Sequence, residues 1–163
     1  GGGSGDIDNI DDDPVNCPAG KVKDSNGNCV KKPCKGNPVV GKLEIAPQKG
    51  ASKAKGALFG CTRSNPNLIC GGVKGKKNHA GIDIITNIGD TIYVMYDGTI
   101  YSTKRQKKGA GYYTRIQSRV NGKIIIHEYF HMQEKNRIEQ NKPGTPVIKV
   151  KAGDIIGLNG KSY

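Results

Sequence analysis

The chain of 163 residues has no tryptophan, two phenylalanines and no apolar run approaching the roughly 20 residues of a membrane span. No helical span is therefore expected. Hydrophobic residues make up 34%, beside 24 Gly and 8 Pro, so only part of the chain is expected to build a packed core. The first residue is not Met, and no apolar signal core follows. Gly1-Gly2-Gly3-Ser4-Gly5 reads as a processed end, an internal piece or a linker. No Cys-x-x-Cys pair occurs, which speaks against structural zinc held by the cysteines. With seven Tyr, two Phe and scattered lysines, no base-stacking platform is in view, and no nucleic-acid partner is expected.

What is present is charge, unevenly placed. Asp6, Asp8, Asp11, Asp12 and Asp13 crowd into residues 1–14, which hold no basic residue. The rest of the chain sets 26 Lys and Arg against the remaining nine acids, a net of +17. A body that basic either attracts polyanions, such as those of a bacterial surface, or serves solubility alone. The five cysteines are Cys17, Cys29, Cys34, Cys61 and Cys70. Their odd number leaves at least one thiol free or paired outside the chain. Connectivity does not follow from sequence, but Cys17–Cys29 would clip the turn at Asp24-Ser25-Asn26-Gly27, and Cys61–Cys70 would clip a surface loop. Such bonds would suit an oxidising compartment.

Composition divides the chain into three. Residues 1–14 read as a disordered acidic Gly/Asp-rich tail, 15–49 as a cysteine-containing spacer, and 50–163 as a mostly β domain. Asp90–Tyr96 and Thr99–Thr103 flank Asp97-Gly98, which predicts a hairpin, and Tyr112–Arg119 and Lys123–Met132 flank Val120-Asn121-Gly122, which predicts a second. Val147–Val150 and Asp154–Leu158 are further short strands, and residues 133–142 form a polar turn or a loop. No long window carries a helical period. The expected fold class is mostly β, built from antiparallel sheet.

Three histidines carry the candidate chemistry. His79-Ala80-Gly81-Ile82-Asp83 places an imidazole and a carboxylate four residues apart, on a loop and a strand. Both are good zinc ligands, with Gly81 allowing a tight bend between them. Alone, this spacing is as compatible with a structural pair. In Ile124–Met132, period 2 puts Ile125, His127, Tyr129 and His131 on one face, with Ile124, Ile126, Phe130 and Met132 on the core side. A solvent-facing polar strand would explain that row, and His127 reads as a partly exposed structural histidine.

Taken together, four segments in order resemble the lysostaphin/LytM (M23) family of zinc metallopeptidases over about residues 56–163. They are Phe59-Gly60-Cys61-Thr62-Arg63 leading to His79-Ala80-Gly81-Ile82-Asp83; Gly89–Gly98; Tyr129-Phe130-His131-Met132, similar to the family's YxHL; and Val150–Gly160, similar to VKxGxxIGxxG. The resemblance implies a peptidoglycan endopeptidase that is secreted, periplasmic or at the cell surface. Its cofactor would be Zn2+, its zinc ligands His79 and Asp83, and its catalytic histidine His131, with Tyr129 and Arg63 at the substrate. Its partners would be peptidoglycan peptides. The family's third ligand comes from an HxH motif beyond the point where this sequence stops. The expectation is a final strand removed or supplied by a second polypeptide, and weak or no activity of these 163 residues alone. The alternative is a catalytically inactive cell-wall-binding or scaffold protein on the same fold.

Overall fold

The β texture of the sequence is realised as ten strands, without a helical element among the described residues, which in this computed structural model are 17–24, 26–45, 56–135, 137–138 and 146–161. In chain order they are Lys21–Lys23 (β1), Cys29–Lys31 (β2), Gly60–Cys70 (β3), Val73–His79 (β4), Thr91–Tyr93 (β5), Gly98–Gln106 (β6), Gly111–Val120 (β7), Lys123–Met132 (β8), Lys149–Val150 (β9) and Ile155–Leu158 (β10). Every pairing between them is antiparallel. The chain divides into two compact units, Gly1–Gly41 together with Asn87–Tyr163, and Lys42–Thr86. The acidic tail of residues 1–14 lies outside the described residues, as do 15, 16, 25 and 46–49 of the spacer and residues 136 and 139–142 of the polar stretch.

The first unit is built on a four-stranded sheet in the order β8-β7-β6-β9. The pairing of β7 with β8 turns at Asn121-Gly122 between the partners Val120 and Lys123. Both turn residues have positive φ, 50° and 77°, which a two-residue hairpin of matching twist requires and which Asn and Gly tolerate best. That expected hairpin forms.

The other does not. β5 pairs with β10, and β6 pairs with β7 and β9. Gly98 is outside the left-handed region, so Asp97-Gly98 is not the predicted hairpin turn. The glycine answers a different need: a Cβ there would lie 2.2 Å from the Gln117 carbonyl oxygen of β7. Ile100, Ile116, Tyr93, Val94, Met132 and Ile156 are buried and form the core. Each such side chain contributes roughly 1.5–3 kcal/mol by leaving water.

β8 faces the opposite way from the expectation. His127 and Tyr129 are buried, whereas Ile124, Ile126 and Phe130 are exposed. The alternation then breaks. Tyr112 pairs with Met132 and Thr114 with Tyr129, so three steps of β8 oppose two of β7. This bulge brings Met132 into the core and leaves His131 at φ 59°. Ahead of the sheet, β1 and β2 form a short hairpin closed by the Cys17–Cys29 disulfide, with Asp24 Oδ1 accepting from the backbone N–H groups of Asn26 and Asn28. The chain then adds backbone hydrogen bonds from Gly36 to Met95 and from Tyr93 to Pro38.

The second unit is a hairpin of β3 and β4 turning at Gly71-Gly72, with a bridge between Ile45 and Ile84. Two register shifts bend β3, one between Gly60 and Arg63 and one between Ser64 and Ile69, and the Cys61–Cys70 disulfide closes the bent segment. Cys34 is free and exposed.

Candidate metal centre

The second unit brings His79 and Asp83 together. His79 ends β4 opposite Gly60, and Asp83 lies in the loop just before the Ile84 bridge, so strand and loop are exchanged relative to the expectation. Gly81 is not the reason they meet. Its φ is not left-handed, and a Cβ there would touch nothing.

His79 Nδ1 lies 3.0 Å from the carbonyl oxygen of Leu58. A carbonyl only accepts, so this bond puts the proton on Nδ1 and leaves the Nε2 lone pair free. Nε2 then faces Asp83 Oδ1 at 3.4 Å. Two acceptors at that distance repel unless positive charge sits between them, either a proton on the ring or a metal ion. The spacing fits a metal, because two ligands at 2.0–2.2 Å in tetrahedral geometry are about 3.3–3.6 Å apart. Fixing the imidazole through the other nitrogen is also how metal-ligating histidines are oriented. The pair therefore suits a zinc ion, His79 through Nε2 and Asp83 through Oδ1. Among the described residues no group of three His, Cys, Asp or Glu side chains is gathered in this way.

Around the pair, three consecutive carbonyls accept hydrogen bonds from its framework, and Leu58 O accepts a further one from Thr62 Oγ1 at 2.8 Å. Gly56 O takes Arg63 Nε at 3.2 Å, Ala57 O takes the Asp83 backbone N–H at 2.9 Å, and Leu58 O takes His79 Nδ1. Arg63 Nη2 in turn donates to Asp83 Oδ2 at 2.6 Å. Arg63, expected at a substrate, is thus engaged with the candidate ligand. Nothing in the HxxxD spacing pointed to Gly56–Leu58; the only signal was the neighbouring Phe59–Arg63 segment.

In the first unit, His131 sits on the β8 bulge. Its N–H donates to Ala110 O at 2.8 Å, and its carbonyl accepts from Gly160 N–H at 2.6 Å. A non-glycine residue in the left-handed region is uncommon, and bulges next to active sites re-aim side chains. The last glycine of the VKxGxxIGxxG-like segment has a steric reason here. A Cβ on Gly160 would stand 2.9 Å from His131 O and 3.0 Å from Gln133 N, both backbone atoms. The two candidate ligands and the candidate catalytic histidine thus come from different units.

His127 and Tyr129 form a closed network instead of a site. Tyr129, another residue expected at the substrate, is 6% exposed. Its hydroxyl accepts the Met95 N–H at 2.9 Å and lies 2.7 Å from His127 Nδ1. His127 Nε2 lies 2.8 Å from Ser118 Oγ, which donates to Tyr96 O at 3.3 Å. One proton arrangement satisfies every member: Tyr129 O–H to Nδ1, Nε2–H to Ser118 Oγ, and Ser118 O–H to the carbonyl. The ring is then neutral. Burial lowers the His127 pKa to about 4 and raises that of the Tyr129 phenol, the latter partly offset by the Met95 N–H.

The family model described as Peptidase family M23 matches residues 77–163, a span that contains His79, Asp83 and His131. The match covers more than half of the chain, and the chain belongs to peptidase family M23. No curated protein matches it. Among the described residues no helix is long and apolar enough to cross a membrane.

Proposed function

We propose that the protein is a zinc-dependent endopeptidase that hydrolyses peptide bonds in bacterial peptidoglycan. The observation that carries this reading is the His79–Asp83 pair, two acceptor atoms 3.4 Å apart with the imidazole proton already committed to Leu58 O. His79 and Asp83 hold the ion. When bound, zinc supplies Lewis acidity toward a scissile carbonyl and an attacking water. His131 is the general base, taking the water's proton at its imidazole and returning it to the leaving amine. The net charge of +17 beyond residue 14 favours residence at an anionic wall, outside the membrane or in the periplasm.

The test is release of peptides from purified peptidoglycan. His131→Ala is expected to slow release by about 10²–10⁴-fold while leaving zinc content unchanged. Release at the unsubstituted rate would remove His131 from the chemistry. A second reading, a non-catalytic wall-binding protein on the same fold, is favoured by the gathering of two donors and not three among the described residues. A zinc-loaded chain that binds peptidoglycan but releases nothing would select it.

A further inference from the structure

The candidate ligand pair is held largely by residues that precede the family match at 77–163. We propose that Arg63 is a positioning residue for the metal centre. It holds Asp83 Oδ2, so that Oδ1 alone is presented to the ion. The carbonyls of Gly56, Ala57 and Leu58 fix, in turn, the guanidinium, the Asp83 backbone and the His79 ring. This deepens the proposed function and rests on its reading of His79 and Asp83 as zinc ligands.

Geometry supports the assignment over a substrate role. The guanidinium is tied at two of its nitrogens, Nε on Gly56 O at 3.2 Å and Nη2 on Asp83 Oδ2 at 2.6 Å. A planar group so anchored sets the rotation of the carboxylate it holds, which a lysine ammonium does not do. The β3 register shift between Gly60 and Arg63 accompanies this placement, three residues of β3 opposing two of β4, and the Cys61–Cys70 disulfide brackets it. Loss of the arginine removes the contact that sets the rotation of this carboxylate toward Nε2. Partners of this kind commonly set metal affinity by 10–100-fold.

Two effects of Arg63 oppose each other. Its charge repels a divalent cation, whereas its fork orients the ligand. The inference is that orientation wins. The experiment measures zinc affinity of the full chain by competition with a chromophoric chelator, alongside circular dichroism to verify folding. Arg63→Ala is expected to weaken zinc binding by about 10–100-fold. Arg63→Lys keeps the charge without the fork and is expected to bind as weakly as Arg63→Ala.

Zinc binding by Arg63→Ala as tight as, or tighter than, that of the unsubstituted chain overturns the inference and leaves the proposed function standing. An unsubstituted chain that binds no zinc overturns both.

Discussion

Two histidines of this chain face oxygen atoms, and they do so in opposite ways. His127 is buried, and both ring nitrogens are matched to hydroxyls whose own protons have acceptors. His79 has one nitrogen matched to a carbonyl, while the other points its lone pair at a carboxylate oxygen. The first arrangement is complete as a neutral network and is broken by an added proton. The second brings two acceptor atoms together and is balanced by positive charge between them, a ring proton or a metal ion. Satisfaction of donors and acceptors therefore separates these two histidines more sharply than burial does, for His79 is itself only 13% exposed at its side chain.

The sharpest way to test that contrast is to remove the structural partner. His127→Ala leaves the Tyr129 hydroxyl and Ser118 Oγ without it and opens a void, at an expected cost of about 2–4 kcal/mol in urea unfolding. Its zinc affinity is expected to equal that of the unsubstituted chain under conditions where it stays folded. A stability loss within error of zero would mean that the network is not formed.

A smaller effect follows from pH. The folded pKa of His127 is about 4, whereas the unfolded value is near 6.5. Above pH 6.5 the ring is neutral in both states, and its contribution is fully present. As pH falls from 6.5 to about 4, the unfolded chain takes up a proton that the folded chain refuses, and stability declines. The expected loss over this window is on the order of 1–2 kcal/mol after allowance for solvent screening. The slope is expected to flatten in His127→Ala, and an unchanged slope would assign the titration to another group.

The same contrast explains what the sequence made legible. The alternation in Ile124–Met132 identified a strand and its two faces, but assigned them to the wrong sides. Apolar residues at 124, 126 and 130 suggested the core, yet those positions are exposed, because His127 and Tyr129 satisfy each other inside. A sequence displays polarity, not partnership. Beyond Tyr129 the bulge changes the parity, and no residue type in Tyr129-Phe130-His131 announces a left-handed φ at His131.

Turn chemistry read well where its signal had one cause. Asn121-Gly122 is a two-residue turn between paired strands. Asp97-Gly98 carries the same kind of signal for a different reason, the close approach of Gln117 O. Which strand pairs with which is a long-range matter, and β5 finds β10 more than 60 residues away. The β3–β4 hairpin went unforeseen because Val73–His79 is rich in Lys and contains Gly75, both poor strand formers. The cysteine pairings Cys17–Cys29 and Cys61–Cys70 are those weighed from spacing, since each closes a short loop. The approach of His79 and Asp83 is compatible with their four-residue spacing, whereas the carbonyl cradle of Gly56–Leu58 was not legible, because backbone acceptors leave no trace in residue identity.

The most direct measurement is the zinc content of three purified proteins after dialysis against trace zinc: the unsubstituted chain, His79→Ala and His127→Ala. The account predicts about one zinc per chain in the first and third and none in the second. Zinc retained by His79→Ala, or absent from all three, would contradict the assignment of the His79–Asp83 pair as the metal centre.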